Sequence, residues 1–157
     1  MPKITTFLSY NNQAEEAVKL YTSAFKDAKV IRTTYYGEGA PMPKGTAMVI
    51  EFELEGQPFL ALNGGSHFKF SDAVSLSVRC ETQEEIDQLT EKLLSGGGQQ
   101  LPCGWLTDRF GLAWQITPPL LGKMLSDKDP QKSGRVMAAM MKMTKIDIAA
   151  LKRAYEG

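Results

Sequence analysis

The sequence is poor in the residues from which most metal sites and nucleophilic sites are built. Its 157 residues include two cysteines, Cys80 and Cys103, and one histidine, His67. No CxxC pair or Cys/His cluster occurs, so a zinc ribbon or a thiol-redox motif is excluded. Two cysteines are also too few for a disulfide scaffold, and we expect reduced thiols in a cytoplasmic protein.

Charge of one sign and long apolar runs are also missing. Eighteen basic residues balance eighteen acidic ones, so no overall field attracts nucleic acid or an anionic membrane. The first ten residues, MPKITTFLSY, lack the apolar run of a signal peptide. No window approaches the roughly 18 apolar residues of a membrane span. We therefore expect a soluble protein with no nucleic-acid or membrane partner.

The pattern that is present is a strand, a helix and three strands. KITTFLSY is strand-like, and NNQAEEAVKLYTSAF has helical spacing of its apolar residues. Asn12 followed by Glu15 fits a capping box at the start of this helix. VIRTTYYG, GTAMVIEFELEG and QPFLALNGG are strand-like, and the LEGQ turn predicts that the last two form a hairpin.

The same pattern then starts again. AVSLSVRC predicts a strand, and TQEEIDQLTEKLLSGGG predicts a helix capped by Thr82 with Glu85. QQLPCGWLT and GLAWQIT are strand material, and Pro102 places the first of them at an edge or makes it irregular. The capped helices begin 70 residues apart at Asn12 and Thr82. The order of elements predicts an internal structural duplication, although the residue identities hardly repeat.

The remaining residues predict helices. Asp129 before Pro130 is typical of a helix start, and Thr144 and Asp147 suit the start of a last helix. Between them runs a methionine-rich apolar stripe: Val136, Met137, Met140 and Met141. Such stripes usually fill cores or subunit interfaces. We expect the tail to serve packing and the chain to form a homodimer.

Several stretches give the chain a resemblance to a known family. They are AEEAVKLYTSAF, EFELEGQPFLALNGG, FKFSDAVSLSVRC, CGWLTDRFGLAWQITP and VMAAMMKMTKIDIAALKRA. Together they resemble the PhnB-like branch of the vicinal oxygen chelate superfamily, which is often labelled 3-demethylubiquinone-9 3-methyltransferase. That superfamily includes glyoxalase I, bleomycin-resistance and fosfomycin-resistance proteins and extradiol dioxygenases.

The resemblance implies an α+β fold of two β-α-β-β-β modules, whose curved sheets enclose a cavity, followed by a helical C-terminal tail. We expect one domain over residues 1–120, with modules at about 1–66 and 72–118. Residues 121–157 would form the helical extension.

In metal-using relatives, the resemblance places a glutamate ligand at the position of Gln115. The first strands offer Thr5, Phe7 and Ser9 in one module and Ala73, Ser75 and Ser77 in the other. None of these is a usual ligand of a catalytic transition metal. His67 lies in the link between the modules. Gln115 and His67 are therefore only weak metal candidates, and we expect no cofactor.

Strand alternation predicts which side chains face the cavity. Ser75, Ser77 and Gln115 would point inward, whereas Val74, Leu76, Val78, Trp114 and Ile116 would pack under the helices. Asn63, at the end of FLALN, is a candidate polar rim residue, and Trp105 a candidate aromatic wall. The predicted ligand-binding set is Phe7, Ser9, Asn63, Ser75, Ser77, Trp105 and Gln115.

Three functions are compatible with these residues. The first is a metal-free small-molecule binding protein. The second is an enzyme of lyase, isomerase or transferase type that acts on a small oxygenated substrate, either with a divalent metal or by acid–base chemistry. The third is an interaction module based on the helical tail. The sequence favours the binding protein.

The sequence names no catalytic residue. Cys103 is the one nucleophile candidate, with Arg109 as the nearby cation that would lower its pKa. The methyltransferase label has no support from a nucleotide-binding turn, because neither LNGGSHF nor SGGGQQ joins a strand to a following helix.

Overall fold

Two four-stranded mixed sheets form the framework of the computed structural model, which describes residues 2–65 and 67–157. The sheets lie in separate units, Met1–Lys69 and Phe70–Gly157. Each unit repeats the order strand, helix and three strands, and further helices follow in the second unit. The predicted α+β fold with two β-α-β-β-β modules and C-terminal helices is confirmed.

The first unit contains one sheet in the order β1-β4-β3-β2. The outer strand β1 runs parallel to β4, and the remaining pairs are antiparallel. Glu55 and Gly56 both have positive φ angles, 49° and 80°, in the two-residue turn between β3 and β4. This turn confirms the predicted hairpin. The elements are β1 (Thr6–Tyr10), α1 (Ala14–Ala24), β2 (Ala28–Tyr35), β3 (Ala47–Leu54) and β4 (Gln57–Asn63).

The core of the first unit lies between α1 and one face of this sheet. Tyr21 of α1 is fully buried, and its ring stacks at 6.3 Å from that of Phe52 in β3. Phe52 stacks in turn at 5.3 Å on Phe59 in β4. The hydroxyl groups of Tyr10 and Tyr21 share a hydrogen bond of 2.9 Å. Aromatic packing and one buried polar pair therefore hold α1 on the sheet.

The start of α1 differs from the sequence prediction. The residue before the helix is Gln13, and no local side chain caps it, so the predicted capping box at Asn12 is wrong. The backbone N–H of Ala14 instead donates to Oδ1 of Asn63, at 2.8 Å. The Asn63 amide also donates to the carbonyl of Ala47, at 3.0 Å. A residue 49 positions away thus satisfies the helix start, which no local pattern reveals.

The second unit repeats the topology in the order β5-β8-β7-β6, with β5 parallel to β8. A single 3₁₀ turn over Pro102–Gly104 interrupts the chain between β6 and β7, which confirms the irregularity predicted from Pro102. The N–H of Glu85 donates to Thr82 Oγ1 at 3.1 Å, so the predicted cap of α2 is confirmed. The elements are β5 (Ser75–Arg79), α2 (Gln83–Leu94), β6 (Gln99–Gln100), β7 (Trp105–Thr107) and β8 (Ala113–Thr117).

One face of the second sheet packs against α2. Leu106, Trp114 and Ile116 are buried on this face, and Ile86 and Leu93 of α2 are buried with them. Leu76 and Val78 are half-buried there. Val74 does not pack under a helix as predicted: it precedes β5 and is 73% exposed. The strand begins one residue too late to carry Val74 into the core.

Three helices follow β8, namely α3 (Pro119–Leu125), α4 (Pro130–Met140) and α5 (Ile148–Glu156). Asp129 accepts from the N–H of Gln131, which confirms the predicted start of α4. Asp147 accepts from the N–H of Ala150 and caps α5 by itself, so the predicted role of Thr144, three residues earlier, is wrong. None of the helices in the described ranges is both long and apolar enough to cross a membrane.

The segment between α4 and α5 is bonded to the rest of the second unit. The N–H groups of Cys103 and Gly104 donate to the carbonyls of Met143 and Thr144, at 2.9 and 2.7 Å. The amide of Gln83 donates to the carbonyl of Ile146, and its oxygen accepts from the N–H of Ile148. Ile146 is fully buried. The tail is thus part of this unit's hydrogen-bonded structure.

Substitution of Asn63 tests the long-range cap. Asn63→Ala leaves the N–H of Ala14 and the carbonyl of Ala47 without this partner, and we expect a loss of about 2–4 kcal/mol in the free energy of unfolding. Asn12→Ala is the matched control, with an expected change below about 0.5 kcal/mol. Urea unfolding of both variants checks this, and equal losses would contradict the assignment.

The stability should also depend on pH through Cys80. Burial raises the pKa of its thiol from 9.0 to about 11, and the Glu85 carboxylate adds to the shift. The folded state thus holds this proton more tightly than the unfolded state, so the contribution is full below pH 9 and is lost as the pH rises through 11. The free energy of unfolding should fall by roughly 2–3 kcal/mol across that range. Urea unfolding of wild type and Cys80→Ala at pH 8 and 11 checks this, and parallel losses would argue against it.

Candidate functional site

Opposite α2, the second sheet has a face on which most side chains are polar and uncharged, with Ala113 between Ser75 and Thr107 and with Arg79 at one end. In β5, Ser77 pairs with Gln115 of β8, and Gln115 pairs with Trp105 of β7. Residues paired across neighbouring strands project from the same face, as do residues two apart along one strand. We call this surface the polar face and define it by Ser75, Ser77, Trp105, Thr107, Gln115 and Thr117.

Gln115 lies at the centre of the polar face. Its Nε2 donates to Oγ of Ser75 at 2.9 Å, and the side chains of both residues are half-buried. Since the amide nitrogen is bonded to Ser75, Oε1 faces away from that bond as an acceptor. No buried side-chain oxygen or nitrogen lacks a partner in the described part of the chain, so Oε1 is reached by solvent.

The neighbours of Gln115 in its row keep their hydrogen-bonding capacity free. Within residues 2–65 and 67–157, neither the Ser77 hydroxyl nor the Trp105 indole N–H bonds to another protein group. Ser77 is exposed and Trp105 is half-buried. The row Ser77, Gln115 and Trp105 therefore offers a hydroxyl, a fixed amide oxygen and an aromatic ring side by side.

A buried carboxylate holds the turn that leads into β8. Asp108 Oδ1 accepts from the N–H groups of Phe110 and Leu112, at 2.9 and 3.1 Å. Its Oδ2 accepts from Nε1 of Trp114 at 3.0 Å. Asp108 is 3% exposed, and these bonds replace the water that a carboxylate otherwise requires. The turn thus anchors the side chain of Trp114, and Gln115 is the next residue along β8.

Sequence reasoning missed three residues of this region. Thr107 and Thr117 lie on the polar face, and Arg79 lies beside Thr117 at its end. Each is two residues from a predicted site residue, so alternation along the strands contained the signal. Thr107 was not predicted, because β7 is short and Pro102 indicated that this stretch is irregular.

The predicted residues of the first unit are divided between two faces of its sheet. Phe7 and Ser9 pair with Leu60 and Leu62 on the face opposite α1. Asn63 pairs with Tyr10 on the face that α1 covers, and it is 1% exposed. The structure brings Phe7 and Ser9 together but separates Asn63 from them. Since both ends of its amide are bonded, we leave Asn63 out of the candidate site.

The other two candidates lie away from the polar face. His67 is exposed after β4, and its ring lies 5.1 Å from that of Phe68. The Cys103 sulfur donates to the carbonyl of Met140 at 3.7 Å, and its backbone has a positive φ of 63°. Cys103 is thus part of the contact between the 3₁₀ turn and the tail.

The polar face does not have the donor set of a divalent metal site. Such a site needs several carboxylate, thiolate or imidazole donors, whereas Ser75, Ser77 and Gln115 are neutral. The Gln115 amide is also bonded to Ser75. No group of three or more His, Cys, Asp and Glu side chains in the described ranges could hold a metal ion.

Comparison with known proteins gives matches over most of the chain. Residues 2–117 match the family described as 3-demethylubiquinone-9 3-methyltransferase. A Bacillus cereus protein that carries the PhnB name and the same methyltransferase label has a structure with a TM-score of 0.69. It shares 38% identity, over 74% of this chain and 99% of its own. A search of curated proteins found no match.

Two more distant structures share the fold. A Glu-to-Gln mutant of FosX, a fosfomycin resistance protein from Listeria monocytogenes, in complex with Mn(II) and 1S,2S-dihydroxypropylphosphonic acid, has a TM-score of 0.55. Its identity is 16%, over 80% of this chain and 97% of its own. A glyoxalase/bleomycin resistance protein from Albidiferax ferrireducens has a TM-score of 0.51 and 13% identity, over 75% of this chain and 100% of its own. At these identities the likeness concerns the fold alone.

Proposed function

The chain belongs to the 3-demethylubiquinone-9 3-methyltransferase family, the PhnB-like branch of the vicinal oxygen chelate superfamily, and from this premise we propose that it binds a small molecule without a divalent metal. The observation that carries the proposal is the row Ser77, Gln115 and Trp105 across the second sheet. It combines a fixed amide and an exposed hydroxyl with an aromatic ring, and small-molecule sites usually combine polar groups with aromatic side chains.

The chemistry of Gln115 supports binding over metal catalysis. The resemblance puts a glutamate ligand at this position in metal-using relatives, and an amide here removes the negative charge. A 2+ ion on the polar face would remain without a neutralising carboxylate, which is unfavourable in a half-buried site. The same amide is well suited to orient an organic ligand, because Ser75 fixes its nitrogen.

The methyltransferase description of the family is not part of this proposal. Gly64 and Gly65 follow β4 and lead towards β5, whereas Gly96 to Gly98 follow α2 and lead into β6. Neither stretch joins a strand to the start of a helix, the arrangement by which a Rossmann-like fold binds a nucleotide.

The proposal includes a cytoplasmic homodimer. Both cysteines are free thiols, in keeping with a reducing compartment. Met137 lies in α4, and Met141 lies one turn further along, just after the helix. Their exposed fractions are 45% and 63%. Contact with a second copy would bury these side chains.

Thermal unfolding of EDTA-treated protein tests the absence of a metal. We expect Mn²⁺, Fe²⁺, Co²⁺, Ni²⁺ and Zn²⁺ to leave the Tm within about 1 °C of the metal-free value. A metal that bound at 100 times its Kd would instead add about 2.7 kcal/mol to the free energy of unfolding. Gln115→Leu removes the central donor, and Thr117→Val is the control on the same face. A shift of several degrees that Gln115→Leu abolishes and Thr117→Val retains would contradict the proposal and favour a metal-dependent enzyme.

Sedimentation equilibrium tests the dimer. At about 10 µM, we expect twice the 17.3 kDa mass of one chain, and we expect Met137→Lys with Met141→Lys to weaken the association because burying two charges is costly. Lys142→Ala is a control that changes a charged neighbour. A monomeric mass for the wild type would refute the homodimer.

A further inference from the structure

We infer that the polar face selects a neutral, planar ligand whose edge carries an N–H next to a C=O, as in a primary carboxamide, a lactam or a cyclic imide. This inference rests on the proposed function and adds the chemistry of the ligand. It follows from the orientation of one side chain, Gln115, and from the groups on either side of it.

The orientation of Gln115 determines what a ligand must donate. Its Nε2 donates one of its two hydrogens to Oγ of Ser75 at 2.9 Å, which leaves Oε1 as the acceptor of the amide with the second N–H beside it. A carbonyl oxygen only accepts hydrogen bonds. A ligand over this position must therefore present an N–H or an O–H, and one with only acceptors would face an unpaired oxygen.

The serine that holds the amide determines what the ligand must accept. Ser75 Oγ already accepts from Gln115, and its own hydrogen makes no bond to another group in the described part of the chain. A hydroxyl has one hydrogen to donate. Gln115 and Ser75 therefore present an acceptor and a donor next to each other, and an N–H beside a C=O is the edge that matches both.

The remaining groups favour a flat, uncharged body. Trp105 lies beside Gln115 in the row and supplies a ring on which a planar ligand can stack. The six residues of the polar face carry no charge. Arg79, beside Thr117, is the cation at its margin and is exposed. A carboxylate on Gln115 would place its lone pairs against Oε1, which is repulsive.

Three related probes separate these requirements in titrations of the ¹⁵N-labelled full chain. Benzamide has the ring, the C=O and the N–H; N,N-dimethylbenzamide lacks the N–H; and benzoate carries a charge and has only acceptors. The side-chain resonances of Gln115 and Trp105 report binding directly, and Gln115→Leu and Trp105→Phe identify them. We expect benzamide to shift both and to bind at least about fivefold more tightly than either other probe, the effect of one lost hydrogen bond.

Variants test whether the hydrogen-bonded pair Gln115 and Ser75 causes the preference for benzamide. Gln115→Leu should remove the preference for benzamide over N,N-dimethylbenzamide. Ser75→Ala should reduce this preference, because the Gln115 amide could then rotate and exchange the positions of its nitrogen and oxygen. Ser75→Thr keeps the hydroxyl and should retain the preference. Thr34→Val, at an exposed position of β2 outside the polar face, should leave the preference unchanged. A merely structural role of Ser75 would weaken all three probes equally.

The possible results distinguish this inference from the proposed function. Equal or tighter binding of benzoate or N,N-dimethylbenzamide would overturn the inference, because it would mean that Nε2 and not Oε1 meets the ligand. Failure of benzamide would overturn it too, but small-molecule binding would stand if sugars, carboxylic acids or phosphonates in a fragment mixture shifted the resonances of Gln115 and Trp105. If no fragment shifted either resonance, the proposed function itself would be refuted.

Discussion

The three hydrogen bonds to the buried carboxylate of Asp108 are the constraint on which the polar face depends. They close the turn between β7 and β8 and bond it to the ring of Trp114. The turn fixes the pairing of Trp105 with Gln115. A slip of one residue would put Trp114 on the polar face and Gln115 under α2. A carboxylate in the core thus determines which side chains can meet a ligand.

The two units share a topology but differ in the surface that it presents. In the first sheet, one row runs through Phe7, Leu60, Glu51 and Arg32, with an ion pair of 3.0 Å between the last two. In the second sheet, the row through Gln115 is neutral and hydrogen-bonding. Strand order and pairing fix where side chains project, whereas each side chain contributes its own chemistry. The duplicated framework therefore carries two unlike surfaces.

Sequence alone predicted the elements well because their signals are local. The alternation of β5, the Thr82 cap and the hairpin turn at Glu55 depend on neighbouring residues, and all three were confirmed. The ligand-binding role of the site residues stays a prediction, but the expected orientation is observed: Ser75, Ser77, Gln115 and Trp105 share one face through strand alternation and register.

The errors have long-range causes. The cap of α1 comes from Asn63. Its polarity indicates a rim residue, but its side chain bonds to the backbone of Ala14 and of Ala47. Val74 continues the alternation of β5 in sequence, but the strand starts after it. Which end of the Gln115 amide faces outward also depends on Ser75, 40 positions away. No local pattern contains that information.

The bonds between the 3₁₀ turn and the tail have a consequence for the order in which the chain acquires its structure during synthesis. Gly104 has no room for a side chain, since a Cβ there would lie 2.8 Å from Ile146, and its N–H bonds to Thr144. All strands of both sheets precede these partners along the chain. On the ribosome, the first unit has its whole sequence available early. The second unit must wait some forty further residues before its 3₁₀ turn finds these partners, so a segment made much later completes a structure begun long before.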